Sequence, residues 1–117
     1  MHQYKELKLW QKAMELVTEI YREMKTFPSS ERFGLTMQMQ RSAVSIPSNI
    51  AEGAGRRTKA DFAKFLDITQ GSLNELETQI ILAERLGYFE IDKVGRIQGE
   101  INELQKMNYS LIYSLRK

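Results

Sequence analysis

The chain has 117 residues, of which 42% are hydrophobic and 27% charged, and its formal net charge is +2. These values are typical of one folded globular domain over residues 1–117, and they exclude a disordered chain. The absence of cysteine excludes disulfides, thiolate metal sites and cysteine nucleophiles. No stretch approaches the roughly 18 uninterrupted apolar residues of a membrane span, and the charged segment 1–10 lacks the apolar core of a signal peptide. We therefore expect a soluble, cytoplasmic protein with no membrane partner.

The first predicted helix runs from Glu6 to Thr26. Its apolar residues lie three and four positions apart, which is the spacing of a helix with one buried face. That stripe consists of Trp10, Ala13, Val17, Ile20, Met24 and Phe27. Pro28 disfavours a helical conformation at the residue before it, so we expect the helix to end there.

The second predicted helix runs from Ser30 to about Gly53, and Pro47 lies inside it. Its apolar stripe consists of Leu35, Met39, Ser42, Ile46 and Ile50. Because a proline has no N–H, the carbonyl of Ala43 loses its usual helical partner. We expect a kink near Pro47, with a serine hydroxyl satisfying freed backbone groups, and a break into two shorter helices is the alternative. The candidate serines are Ser42, Ser45 and Ser48.

The third predicted helix has the most regular apolar stripe in the sequence. Thr58 followed by Asp61 resembles the capping box that opens a helix, and Gly87 is typical of the left-handed residue that ends one. The stripe consists of Phe62, Leu66, Thr69, Leu73, Leu76, Ile80, Ala83 and Gly87. Gly71 and Ser72 lower the helix propensity in the middle of this segment. We expect them to permit a close approach by the backbone of a neighbouring helix.

The fourth predicted helix begins at a cap formed by Asp92 and continues to residue 117. Its stripe consists of Val94, Ile97, Ile101, Leu104, Asn108, Leu111 and Leu115. Asn108, the polar member, either pairs with another polar group or lies where the stripe reaches solvent. Four helices with short connections predict an all-α fold, an up-down-up-down four-helix bundle. The apolar flanks of the helices further predict surface that is buried between subunits.

Residues that enzymes and metal sites need are scarce. His2, the only histidine, lies at the terminus, and the di-iron sites of helix bundles need Glu-x-x-His pairs that this sequence lacks. Several acids lie off the apolar stripes, and we interpret them as solvated. They are Glu75, Glu77, Glu84, Glu100 and Glu103. We therefore expect no catalytic residues, no cofactor and no metal.

Charge is unevenly distributed along the chain. Residues 31–60 contain five basic and two acidic residues, and residues 65–92 contain one basic and six acidic residues. Either these stretches pair across helices or subunits, or the basic stretch binds an anionic polymer. The segment Gly53-Ala54-Gly55-Arg56-Arg57 lacks the pattern of a phosphate-binding glycine loop. The helix start that follows it is nevertheless a favourable place for an anion.

One segment is too particular for a generic bundle helix. Residues Arg41 to Gly53, RSAVSIPSNIAEG, resemble the hallmark of the 23S rRNA intervening-sequence protein family, which consists of small bacterial four-helix-bundle proteins. Three further segments agree with that family in order and spacing. They are Leu9-Trp10-Gln11-Lys12-Ala13, Glu31-Arg32-Phe33-Gly34-Leu35, and Phe65-Leu66 with Gly71-Ser72-Leu73-Asn74-Glu75-Leu76-Glu77.

The resemblance implies properties that the residue pattern does not show. The family is similar to the accessory proteins of diversity-generating retroelements, which form barrel-shaped homopentamers and associate with nucleic acid and a reverse transcriptase. By analogy we expect a cyclic homo-oligomer, with a pentamer as the favoured form, and a basic surface. Arg41 and Arg56 match basic positions of the family. At the two positions before Gly71, relatives often have Ala followed by Arg or Lys. This chain has Thr69 and Gln70 there, so it lacks one positive charge.

Two hypotheses about function follow. The first is non-enzymatic binding of nucleic acid, RNA in preference to DNA, by an oligomer that gathers basic residues from several subunits. Those residues are Arg41, Arg56, Arg57, Lys59 and Lys64. The alternative is a protein–protein interaction scaffold whose charged stretches pair between subunits or with another protein, without direct nucleic-acid binding. Exposed arginines favour the first hypothesis, and arginines buried against Asp67, Glu75 or Glu77 favour the second.

Overall fold

A computed structural model describes residues 3–117 of the chain, so His2 lies outside the described residues. Within that range the chain forms α-helices and short 3-10 turns but no strand, which confirms the predicted all-α fold. The helices are α1 (Lys8–Glu23), α2 (Leu35–Ala54), α3 (Lys59–Arg85) and α4 (Ile91–Arg116). The 3-10 turns are Tyr4–Glu6, Met24–Thr26 and Ser29–Glu31. None of the described helices is both long and apolar enough to cross a membrane.

The helices form an antiparallel bundle of 43 × 24 × 20 Å, in which each helix packs on the next and α4 closes against α1. One end of the bundle gathers the start of α1, the α2–α3 turn and the end of α4. We call this the proximal end and define it as residues 3–8, 52–67 and 113–117. The opposite, distal end comprises residues 23–34 and 84–93.

The core follows the predicted stripes most closely in α3, where every stripe residue except Gly87 is buried. In α1 the buried face is rotated slightly. Leu9 and Leu16 are buried there, whereas the predicted Trp10 and Val17 are only half-buried. A stripe with a 3.5-residue repeat drifts around a straight helix of 3.6 residues per turn, which accounts for this difference.

Both predicted ends of α3 are confirmed. The hydroxyl of Thr58 accepts a hydrogen bond of 3.1 Å from the backbone N–H of Asp61. At the other end Gly87 has a φ of +82°, and the N–H of Tyr88 donates to the carbonyl of Ala83 at 2.9 Å. This is the 6→1 hydrogen bond of a Schellman motif, which stops the helix and turns the chain toward α4.

The starts of α2 and α4 differ from the predictions. The chain makes a 3-10 turn at Ser29–Glu31, and α2 begins only at Leu35, where the carboxylate of Glu31 accepts the backbone N–H at 3.1 Å. The second carboxylate oxygen of Glu31 accepts the Tyr88 hydroxyl at 2.9 Å. Asp92 lies in the first turn of α4, and the N-cap residue is Glu90, which makes no side-chain capping bond. The prediction that Asp92 caps α4 is therefore wrong.

The α2 helix is continuous through Pro47, so a break into two helices is excluded, and the angle at Pro47 stays a prediction. The hydroxyl of Ser42 donates to Glu75 at 3.1 Å, and that of Ser45 lies 2.9 Å from the Ser72 hydroxyl. These two serines therefore bond α2 to α3 and do not serve the backbone freed by the proline. The amide of Asn49 donates to the carbonyl of Ser45 at 2.8 Å.

The close approach between α2 and α3 occurs at Gly53. A Cβ placed there would lie 2.7 Å from the Cβ of Phe65 and 3.2 Å from the backbone carbonyl oxygen of Phe62. A Cβ at Gly71 would meet nothing within 4 Å, because that residue faces outward. The prediction of a close approach is therefore wrong for Gly71, whereas Ser72 is buried and its hydroxyl lies 2.9 Å from that of Ser45 on α2.

Candidate nucleic-acid interface

Four of the five predicted basic residues lie together at the proximal end. Arg56 and Arg57 occupy the α2–α3 turn, and Lys59 and Lys64 lie in the first two turns of α3, all of them exposed. Arg41 is also exposed, but it lies in the first half of α2, fifteen residues before Arg56. At 1.5 Å per residue this places it roughly 20 Å away. The structure therefore brings four of these residues together and leaves Arg41 apart.

Arg56 differs from the other three because its guanidinium is held in place. It donates to the carboxylate of Glu52 at 2.9 Å, and its central carbon lies 4.7 Å from the centroid of the Phe65 ring. An exposed ion pair of this kind contributes little stability, but it restricts the side chain. Among the described residues, no ion pair involves Arg57, Lys59 or Lys64. These three cations are available to an external anion.

The bundle adds basic residues to this end that sequence reasoning missed. They are Lys5 and Lys8 from the start of the chain, and Arg116 and Lys117 from its end. The proximal end thus carries eight basic and four acidic side chains, whereas the distal end carries four basic and five acidic ones. The antiparallel topology was the available signal, since it places the start of α1 and the end of α4 beside the α2–α3 turn.

Two of the three acidic residues that the scaffold hypothesis assigned as partners have other contacts. Asp67 binds Arg116 through two hydrogen bonds, of 3.2 and 2.5 Å, and Glu75 accepts the Ser42 hydroxyl. No ion pair in residues 3–117 joins Asp67, Glu75 or Glu77 to Arg41 or Arg57. Pairing between the basic and acidic stretches would therefore have to occur between subunits.

A second charged region lines the seam between α1 and α4. Three ion pairs cross it, namely Lys12–Glu103, Glu19–Arg96 and Glu23–Lys93. Glu100 lies among them, and burial followed by a hydrogen bond to Glu19 raises its pKa to about 7. Glu100 is half-buried, as are Glu77 and Glu84, so the interpretation of these three residues as solvated acids is wrong. Histidine and acidic residues form no cluster suited to a metal ion in the described part of the chain.

Replacing Glu100 with glutamine is expected to weaken the pH dependence of stability. A carboxyl whose folded pKa lies above its ordinary 4.5 contributes stability fully below that ordinary pKa and loses it as the pH rises to the folded pKa. We therefore expect Glu100→Gln to raise the melting temperature by a few degrees near pH 8 and not near pH 4.5, as measured by circular dichroism. Glu103→Gln is the control, because Glu103 is ion-paired. Equal shifts for Glu100→Gln at both pH values would contradict this assignment.

Several large apolar side chains lie on the surface. On α3 the exposed fractions of Ile68, Leu82 and Leu86 are 51%, 46% and 50%. Met14 of α1 and Val44 of α2 are 42% and 43% exposed. These residues lie on the flanks of the buried stripes, which is where the sequence predicted surface for contacts between subunits.

Known proteins are similar to this chain in fold and in sequence. The model of the family described as 23S rRNA-intervening sequence protein matches residues 5–110. A similar solved structure is the 1.70 Å crystal structure of a protein with unknown function from the S23 ribosomal protein family of Bacteroides thetaiotaomicron VPI-5482. The two structures superpose with a TM-score of 0.82 and 28% sequence identity, over 89% of this chain and 97% of the other. Among curated proteins no match was found.

Proposed function

This chain belongs to the 23S rRNA-intervening sequence protein family, and from that premise we propose that it is a non-enzymatic protein that binds nucleic acid, RNA in preference to DNA. The observation that carries the proposal is the group of three exposed, unpaired cations at the proximal end, Arg57, Lys59 and Lys64. They lie in an end of the bundle where basic side chains outnumber acidic ones two to one.

The first turn of α3 strengthens this interaction. The early N–H groups of a helix lack helical partners and carry partial positive charge, which favours a phosphate nearby. Lys59 opens α3 and Arg57 immediately precedes its cap, so the side-chain and backbone donors converge on one region. Binding of this kind depends on phosphate contacts, and therefore has weak sequence preference and steep salt dependence.

We further propose that the protein acts as a homo-oligomer, with a pentamer as the favoured form. The exposed apolar residues on the flanks of α1, α2 and α3 support such contacts, because large apolar side chains exposed on one subunit can be buried against another. A cyclic assembly would repeat the proximal end around its axis and so multiply its charge. Arg41 lies too far from the other four residues to share a phosphate with them inside one subunit, so its contribution depends on the assembly.

The test is a triple variant, Arg57→Ala with Lys59→Ala and Lys64→Ala. We expect its affinity for labelled single-stranded RNA at low salt to fall at least about tenfold. The slope of log affinity against log salt should decrease by about two, since three phosphate contacts are lost. A fluorescence-anisotropy salt titration measures both quantities, and circular dichroism checks the fold.

The matched control removes the same charge from the distal end, as Lys25→Ala with Arg32→Ala and Arg85→Ala, whose side chains are also exposed. It should bind nearly as well as the unmodified protein. Equal losses in the two variants would mean that only net charge matters and would contradict the site. An intact protein that binds neither RNA nor DNA at low salt would contradict the proposed function.

That last result would favour the alternative, a protein–protein interaction scaffold. The exposed apolar positions of α3, Ile68, Leu82 and Leu86, are the observation that favours it. In that case the triple variant at the proximal end, or high salt, should lower the mass of the assembly by loosening charge pairs between subunits. Light scattering on the same samples distinguishes the two functions.

A further inference from the structure

A shallow, open groove of about 460 Å³ lies between the outer faces of α3 and α4. Its lining consists of Gln70, Asn102, Gln105, Lys106, Tyr109 and Ser110. The lining contains three carboxamides and one lysine but no carboxylate, which favours a ligand with hydrogen-bonding edges and negative charge.

The carboxamides of the groove are partly engaged and partly free. The oxygen of Gln70 accepts the amide of the buried Asn108 at 3.0 Å, and the amide nitrogen of Gln105 donates to Asn74 at 3.0 Å. Each glutamine thus uses one end of its amide for the fold, and no hydrogen bond within residues 3–117 involves the other end. Because a carboxamide has both donors and acceptors, Gln70 presents a free donor group to the groove and Gln105 a free acceptor, and each side chain is held at its other end.

Two tyrosines lie beside these amides on α4. Tyr109 is 68% exposed and Tyr113, one helical turn further, is 65% exposed. Lys106 precedes them on the same face and Lys117 follows, because residues three and four apart are neighbours on a helix. Across the described residues, the side chains of Tyr109, Tyr113 and Lys106 take part in no hydrogen bond, ring contact or ion pair. Both rings therefore keep most of their surface free for an external contact.

The charge around the tyrosines suits a polyanion. Asp67 is the acidic side chain that α3 places nearest to the end of α4, and both of its carboxylate oxygens are engaged by Arg116. From Lys106 the helix runs toward the proximal end. A strand that starts in the groove could continue along α4 to the cations of the α2–α3 turn.

We infer that this groove binds an unpaired nucleobase of single-stranded nucleic acid. The base stacks on Tyr109, its edge hydrogen-bonds with Gln70 and Gln105, and the adjacent phosphates contact Lys106. Stacking on aromatic side chains is the usual means by which proteins hold single strands without strong sequence preference. The inference rests on the proposed function and adds to it a preference for unpaired bases.

The test compares three labelled probes: a short oligouridylate, an abasic strand of the same length, and an RNA duplex. The unmodified protein should bind oligouridylate at least about fivefold more tightly than the abasic strand, since each stacked base contributes at least that factor. Tyr109→Ala should abolish this difference and leave abasic and duplex binding unchanged. Tyr109→Phe should retain it, because the ring remains. Tyr21→Ala, at a 41% exposed tyrosine of α1, is the matched control and should retain it too.

The possible outcomes separate this inference from the proposed function. Equal binding of oligouridylate and abasic strand, unchanged by Tyr109→Ala, would overturn the stacking site while proximal-end binding stands. If the protein bound none of the three probes, both the stacking site and the proposed function would be overturned. A lower assembly mass for Tyr109→Ala, measured by light scattering, would show that a second copy of this chain covers the tyrosines, and would also overturn the inference.

Discussion

Replacing Gly53 with alanine is expected to destabilise the bundle by about 2 kcal/mol, although alanine is the better helix former. The new methyl group would lie 2.7 Å from the Cβ of Phe65 and 3.2 Å from the carbonyl oxygen of Phe62. Neither atom can move without displacing α3, because one is the first side-chain carbon and the other belongs to the backbone. The clash therefore outweighs the gain in helix propensity of up to about 1 kcal/mol.

The chain provides a matched control for this substitution. Gly71 also lies inside a helix, but a Cβ there meets nothing within 4 Å. Gly71→Ala is therefore expected to stabilise the protein by about 0.5–1 kcal/mol. Urea denaturation followed by circular dichroism measures both free energies of unfolding. Stabilisation by both substitutions would mean that α2 and α3 separate at Gly53 without cost, and would contradict the close approach.

Replacing Asn108 with aspartate is expected to cost on the order of 3 kcal/mol at neutral pH. The side chain of Asn108 is fully buried, and its amide nitrogen donates to the carbonyl of Leu66 at 2.9 Å and to Gln70 at 3.0 Å. Aspartate has nearly the same shape, but its charged form has no donor and would face both acceptor oxygens. It would therefore replace two attractive contacts by two repulsive ones inside the core.

Measurements at two pH values, together with a second variant, show whether the charge or the shape of the new side chain causes the loss of stability. Burial raises the pKa of an aspartate at position 108 above its ordinary value of about 4, so the cost should be smallest below that value and grow as the pH rises. Asn108→Leu should cost about 1–2 kcal/mol, less than the aspartate, because it leaves the Gln70 oxygen without its donor but introduces no charge. Equal costs for the two variants at neutral pH would contradict a dry environment. Thermal unfolding at acid and neutral pH gives both values.

The helices could be predicted from sequence because burial in a bundle repeats with the helical period. The prediction was most accurate in α3, which makes the most extensive contacts with its two neighbours and starts and ends with recognisable capping residues. The predicted start of α2 was wrong for a different reason. Glu31 caps it from the preceding turn and also binds Tyr88, a residue distant in sequence, and a local pattern does not contain such a contact.

The candidate site also contains some residues that the sequence could predict and others that it could not. Arg56, Arg57, Lys59 and Lys64 are close in sequence and remain close in the structure, so a charge count along the chain found them. Arg116 joins them only through the antiparallel path of α4, which no local count reveals. The tyrosines of α4 were missed because an exposed aromatic residue has the same identity in the sequence as a buried one. Only the burial of each side chain in the bundle separates the two.

The contacts between α2 and α3 affect which kind of nucleic acid the protein can bind. The close approach at Gly53 and the contact between Ser45 and Ser72 fix the position of one helix along the other, so the turn between them joins two elements that cannot slide. The backbone that carries Arg57, Lys59 and Lys64 is therefore a rigid template with preset distances between the Cα atoms of these residues. A rigid template loses little conformational entropy on binding, and the adjustment falls on the partner. A flexible strand can space its phosphates to match this template more readily than a stiff duplex can.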